Sequence, residues 1–245
     1  MMHLCDVENA VEGPGIMRED FVCFELQAIV DTQNLSVYGY EFLFRGQDRP
    51  LTPEAWRDVD EGVLRYLAHA DAGAGKPCFV NLSHGSVLAI PEPVFAAACA
   101  RNVVRFEMSE EPADGMLFDR VCEKVNYLTS QGMQFAIDDF GAGLDGSRRL
   151  YALDRVAAVK VDRGLLITAA ARPLAARMLE AAVSSWKCAG IRTVAEGVES
   201  AELLSFAQRL GFDLVQGWHV DQIAPSMKTF IQRSFFNHNC SVLCA

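Results

Sequence analysis

The feature of this sequence that most limits its fold is a repeated unit. A short apolar run rich in β-branched residues ends in a polar or acidic residue, and a stretch with apolar residues at helical spacing follows. The runs FVCFELQAIV (21–30) and SVYGYEFLFR (36–45), separated by DTQNL, read as a hairpin whose second strand ends in Glu41 and Arg45. Thr52 and Pro53 supply an N-cap with proline at the first helical position, and Trp56, Val59, Val63, Leu64 and Leu67 form the stripe of a helix to about residue 70. Further strands at 76–83, 102–109, 133–140, 157–162, 191–197 and 212–218 alternate with helices at 92–100, 115–130, 172–188 and 200–210. A short helical piece should follow the glycines after residue 140, and a terminal helix is expected near 225–235. About eight strands with helical crossovers in 245 residues point to an α/β, TIM-like (β/α) barrel, with the hairpin allowing a first strand antiparallel to the rest. The competing fold is a doubly wound open sheet. Against it, no strand-to-helix loop carries GxGxxG or GxxxxGK, and polar residues end nearly every strand instead of clustering at one switch point.

Composition sets the partners. The 22 basic and 32 acidic residues give a formal net charge of -10, which opposes the wrapping of DNA or RNA polymers and attraction to an anionic bilayer. No run of about 18 apolar residues exists to insert into a membrane. The start, MMHLCDVENAVEGPG, lacks a signal-peptide layout, and the eight cysteines are scattered, so buried thiols and a cytoplasmic location are expected. Residues 1–20 read as an arm or linker remnant, 21–235 as the barrel domain and 236–245 as a tail.

In a parallel barrel the carboxyl ends of the strands converge on one face, so chemistry is to be sought there. In order these ends give Glu41 and Arg45, Asn81 and Ser83, Glu107 and Glu110, Asp138 and Asp139, Lys160 and Asp162, Glu196 and Glu199, and Gln216. Glu41, Glu107, Asp138, Asp139 and Glu196 would bring five carboxylates into a small volume. Such a group raises its own pKa values unless cations compensate, and its hard oxygens suit Mg²⁺ or Mn²⁺. Singly, each residue has an ordinary explanation as a helix cap or a solvated rim group. The adjacent pair Asp138 and Asp139 is harder to explain so, because neighbours on a strand face opposite ways; the pair is useful only where the strand is ending. Lys160, flanked by valines, is costly to bury unless carboxylates surround it.

These signatures, YEFLFR, FVNLS, FEMSE, DDFGAG, VKVD, AEGVES and QGW in order, make residues 21 to about 235 resemble an EAL domain. That family's barrel phosphodiesterases linearise the bacterial second messenger cyclic di-GMP. The resemblance implies two divalent ions, Mg²⁺ or Mn²⁺, held by Glu41, Asn81, Glu107, Asp138, Asp139 and Glu196, with Asp138 bridging. Glu196 would be a further ligand or would orient the attacking water. Lys160 would contact that water or the phosphate, giving Lys160, Glu196 and Glu41 as the catalytic set. Arg45 would bind a phosphate oxygen, Gln216 and Glu199 would face the ligand, and Glu110 would brace the loop after Asp139. A homodimer is implied, and a regulatory protein partner is the implied role of members that no longer hydrolyse the nucleotide.

This chain also departs from the family pattern. Phe42 stands where the family triplet has alanine and should turn its ring to the helical layer. Ala28 replaces a usual proline after Gln27. Leu144, Asp145 and Gly146 replace a tyrosine and two serines in a loop tied to metal occupancy and dimer contacts in relatives. The alternative function is therefore a weak or inactive module that binds cyclic di-GMP or a protein. His84 and His219 match no family ligand and are expected at the rim or behind the site. His238, Cys240 and Cys244 lack a fourth zinc ligand and read as a flexible tail.

Overall fold

The computed structural model describes residues 21–46, 49–110, 115–143 and 146–236. The expected arm, most of the expected tail and Leu144 and Asp145 lie outside the described residues. Strands β1 (Phe21–Asp31) and β2 (Val37–Phe44) form the hairpin, followed by helix α1 (Pro53–His69). The next strands are β3 (Cys78–Leu82), β4 (Val104–Met108), β5 (Gln134–Phe140), β6 (Ala158–Val161), β7 (Arg192–Ala195) and β8 (Leu214–Val215). Strands β2 to β8 run parallel in sequence order, and β1 closes the ring by pairing antiparallel with both β2 and β8. The result is a closed eight-stranded mixed barrel with its helices outside. Leading helices are α2 (His84–Ala89), α3 (Glu92–Arg101), α4 (Gly115–Ser130), α5 (Gly146–Ala152), α6 (Arg163–Ala171), α7 (Pro173–Cys188), α8 (Ala201–Arg209) and α9 (Trp218–Asp221). Of these α2, α6 and α9 have no counterpart in the sequence expectation: α2 and α9 are short, and α6, RGLLITAAA, is apolar on nearly every side and so shows no amphipathic period.

Strand alternation builds the interior in two storeys. Ile29, Phe79, Ala136, Ala158, Val194 and Leu214 form a separate apolar cluster at the amino-terminal end of the barrel, with Tyr38 packed against it. Two residues on along each parallel strand, the same alternation gives Asn81, Asp138, Lys160, Glu196 and Gln216; on antiparallel β1 it gives Gln27, two residues before Ile29. The intervening residues face the helices. Phe42 does so as expected: it is buried in the main core, with its ring centroid 6.4 Å from that of Phe24.

The expected terminal helix is not found. Residues 227–232 instead form β9 (Met227–Gln232), antiparallel to β1 from Phe21↔Gln232 to Leu26↔Met227, and a 3-10 turn follows at Arg233–Phe236. The physical reason is alternation: Thr229 and Ile231 are buried while Lys228 and Gln232 are exposed, a period of two with β-branched residues on the inner face. The outer half of long β1 also presents backbone groups that need a partner, and β9 covers that edge. Phe236 then stacks on Phe24 with centroids 6.2 Å apart and lies over Gly62, where an added Cβ would meet its ring.

Because Ile231 is fully buried, Ile231→Ala should lower unfolding free energy by about 2–5 kcal/mol. Urea denaturation checks this; an unchanged midpoint would mean that β9 is not part of the cooperative unit.

Candidate active site

Lys160 lies at the centre of the upper storey. Its side chain is fully buried, and its Nζ is 2.8 Å from Glu107 Oε1, 2.8 Å from Asp138 Oδ1, 2.9 Å from Glu196 Oε1 and 3.1 Å from Glu41 Oε2. Burial opposes its charge, but the four carboxylates outweigh burial and hold its pKa well above the ordinary lysine value. Around it the acids respond differently. Burial raises Glu41, yet Lys160 and hydrogen bonds from Gln216, Lys160 and Asn81 together hold it below the usual carboxylate range. Burial pushes Glu107 and Glu196 well above that range, with Lys160 only partly offsetting it. Asp139 is raised to about 6 by partial enclosure and by neighbouring Asp138.

Hydrogen bonds fix the frame. Asn81 Nδ2 donates to Glu41 Oε1 at 2.6 Å, and Gln216 Nε2 donates to Glu41 Oε2 at 2.6 Å and to Gln27 Oε1 at 2.8 Å. Gln27 Nε2 in turn donates to Asp221 Oδ2 at 2.9 Å, so a chain of amides runs from α9 to the cluster. Gln27 and Asp221 were missed by the sequence reading. A lone amide alternating inward along β1 was the available signal for Gln27; Asp221 sits on a one-turn helix with no signal of its own.

The Asp138–Asp139 puzzle is solved by backbone geometry. The strand ends at Phe140, the bound expected for it, and its last residues are irregular in register against β6 between Ile137 and Phe140. Asp139 adopts φ of 51°, in the left-handed region, so its carboxylate turns to the rim while Asp138 stays inside. Oxygens of Asp138, Asp139 and Glu196 consequently lie within 4.8 Å of one another, a spacing one cation can span. Glu107 Oε2 is buried without a hydrogen-bond donor, and four carboxylates contact a single ammonium while a fifth, Asp139, stands beside them at the rim. This hard-oxygen, charge-deficient set fits divalent ions.

The other expected residues occupy the surroundings. Arg45 is exposed and pairs with Glu25 at 2.8 Å; Glu199 pairs with Arg163 at 2.6 Å on the rim. Glu110 packs against Gly143 in the loop after Asp139, where an added Cβ would collide with its carboxylate, and its Oε2 is 3.6 Å from Arg149. Ser83 and Asp162 have the ordinary explanation, capping α2 and α6. His84 is buried in α2, and His219 is partly exposed in α9. Two cavities open on the mouth. One, of about 970 Å³, is lined by Arg45, Arg49, Trp56 and Asn81; the other, of about 350 Å³, by Glu41, Glu196, Glu199, Gln216 and Trp218. Leu43, Asp138 and Asp139 line both.

A closed barrel whose carboxyl-end mouth carries clustered carboxylates around one lysine belongs to the class of barrels built to hold divalent metal. The EAL domain profile matches residues 13–222, and the chain belongs to that family. It is similar to BlrP1 of Klebsiella pneumoniae solved with calcium and cyclic di-GMP, with a TM-score of 0.68 and 27% identity over 84% of this chain and 56% of that one. It is also similar to a standalone EAL protein of Vibrio cholerae O395 in its c-di-GMP-bound form, with a TM-score of 0.62 and 26% identity over 81% and 90% of the two chains. Among curated proteins, the oxygen sensor protein DosP of Escherichia coli is 26% identical over 60% of this chain and 19% of its own length. The probable cyclic di-GMP phosphodiesterase PdeN of the same organism is 25% identical over 86% and 45%. The chain thus spans less than half the length of either curated relative.

Asp139 provides a pH test. Its folded pKa of about 6 exceeds the ordinary value of 3.8, so the folded state binds its proton more tightly, and the resulting stability is lost as pH rises through about 6. In metal-free protein Asp139→Asn should therefore gain stability relative to the parent between pH 5 and 7, read by paired thermal melts; a constant difference would refute the shift.

Proposed function

We propose that this chain is a metal-dependent phosphodiesterase that opens cyclic di-GMP to the linear dinucleotide pGpG. The observation that carries the reading is the place of Asp138 and Asp139 where the two cavities meet. A cyclic dinucleotide has two nucleoside arms joined through phosphodiesters, and it would lay one arm in each cavity with a phosphodiester over the carboxylates. Family membership, the name of PdeN and the cyclic di-GMP carried by both solved neighbours support this choice of ligand.

In this reading two ions, Mg²⁺ or Mn²⁺, are held by Glu41, Asn81, Glu107, Asp138, Asp139 and Glu196. Asn81 gives its Nδ2 to Glu41, which leaves its amide oxygen as the ligand atom. When bound, the ions supply the Lewis acidity and the lowered water pKa that in-line hydrolysis needs. Lys160 keeps a positive charge beneath the reacting phosphorus, where negative charge grows in the transition state. Arg45 exchanges its exposed partner Glu25, a pair worth little in water, for a phosphate oxygen. Gln216 holds Glu41 in place, Glu196 orients the water, Glu199 meets the ligand at the rim, and Glu110 braces the loop after Asp139. Among the described residues no helix is long and apolar enough to cross a membrane; a cytoplasmic site of action belongs to the proposal. So does a homodimer formed beside the loop after Asp139, where Met116 and Tyr151 are 78% and 83% exposed on α4 and α5.

The test follows linear product by chromatography. The parent should turn over with Mg²⁺ or Mn²⁺, lose activity on chelation and be inhibited by Ca²⁺, whose larger radius and looser coordination suit a two-ion clamp poorly. Lys160→Ala should lower kcat by about a hundredfold or more, whereas Glu41→Ala should weaken metal dependence and turnover together. Binding of the nucleotide without product beyond that of Glu41→Ala would instead make the chain a sensor module, and absence of both binding and cleavage would leave a role with a protein partner. Sedimentation at micromolar concentration should show a dimer; a fully active monomer would remove it.

A further inference from the structure

Arg149 is a buried cation that the proposed chemistry does not use. Its side chain is completely buried in α5, although an unpaired guanidinium in that environment would cost several kcal/mol. NH1 donates to the carbonyl of Asp138 at 2.7 Å and to that of Met108 at 2.8 Å, and NH2 lies 3.6 Å from Glu110 Oε2. These partners come from three places: the end of β4, the irregular point of β5, and the residue packed under Gly143.

The location explains the contacts. The β4–β5 ladder ends at Met108↔Ile137, and the β5–β6 register breaks between Ile137 and Phe140. Carbonyls at Met108 and Asp138 therefore sit where regular strand pairing stops, and one planar donor bridges both. The same backbone stretch contains Asp139 at positive φ, the conformation that lets two adjacent carboxylates share one mouth.

We infer that Arg149 is a positioning residue for the metal site, holding the irregular Asp138–Asp139 backbone in the shape that aims both carboxylates at one ion. The role rests on the metal-binding reading above and goes beyond it, because Arg149 bonds the backbone carbonyls of Met108 and Asp138 and not the carboxylates proposed as ligands. Without its two hydrogen bonds the strand is free to relax toward regular pairing, which turns Asp139 away from Asp138. Loss of a group that orients metal ligands typically weakens metal binding by about 10- to 100-fold.

The test measures Mn²⁺ binding directly, by the electron paramagnetic resonance signal of free Mn²⁺, in the full chain. Four proteins are compared with the parent: Arg149→Met, Arg149→Lys, Asp138→Asn and the remote core variant Leu204→Ala, each with a thermal melt. Arg149→Met should raise the Mn²⁺ dissociation constant about tenfold or more, Arg149→Lys should recover part of the loss through its single donor group, and Leu204→Ala should bind as the parent does while melting lower. In turnover with cyclic di-GMP, kcat of Arg149→Met should fall at limiting Mn²⁺ and recover at high Mn²⁺, with KM within about twofold. Unchanged Mn²⁺ affinity in Arg149→Met, or the same loss in Leu204→Ala, overturns the role; if Arg149→Met does not fold, unchanged affinity in Arg149→Lys overturns it. A parent whose Mn²⁺ binding is absent or indifferent to Asp138→Asn brings down the metal-site reading itself and this role with it, a result distinct from failure of the Arg149 variants alone.

Discussion

One ammonium group among four carboxylates is the interaction on which the upper half of this barrel depends. Lys160 Nζ lies within 3.1 Å of oxygens from β2, β4, β5 and the end of β7, so a single cation draws four strand ends together. The cost of desolvating these groups is met only collectively: remove the lysine and the acids repel, remove the acids and the lysine sheds its proton. Even so the charges do not balance: burial first, and the neighbouring carboxylates after it, make Glu107 and Glu196 hold protons more tightly, with Lys160 only partly offsetting them. A site of this kind is stable enough to fold and still short of positive charge, which is the electrostatic condition for taking up divalent ions.

The apolar lower storey makes that arrangement possible. Ile29, Phe79, Ala136, Ala158, Val194 and Leu214 fill the barrel below the charged layer with side chains of unequal size. Since the two storeys are two residues apart on each strand, a register slip of one residue would send the carboxylates into the helical layer and Phe42 or Val80 into the mouth. Packing below and ion pairing above therefore specify the same register.

Much of this was legible in the sequence. The β-branched runs marked the barrel strands, and reading the polar residue at each strand end located Glu41, Asn81, Glu107, Asp138, Lys160, Glu196 and Gln216, all of which the structure brings to one mouth. Antiparallel β1 followed from the short hairpin connection. What escaped had no local signature. Strand β9 was mistaken for a helix because six residues satisfy either period and its pairing partner lies about two hundred residues away. The irregularity at Asp139 depends on backbone dihedrals that an aspartate does not announce. Arg149 reads as a surface charge on a short helix until the two carbonyls it reaches are placed.

Phe21 pairs with Gln232 beside the outer half of β1, whose neighbour on β2 is the strand end that carries Arg45. Strand β1 therefore begins, and β9 ends, side by side at the face that holds the carboxylates, before the chain turns back along α1 to place Phe235 beside Tyr66 and Phe236 over Gly62. Fraying of β9 would consequently strip the outer half of β1 of its backbone partners at the end of the ring nearest the mouth, so the pairing that hides a strand edge also steadies the rim beside Arg45.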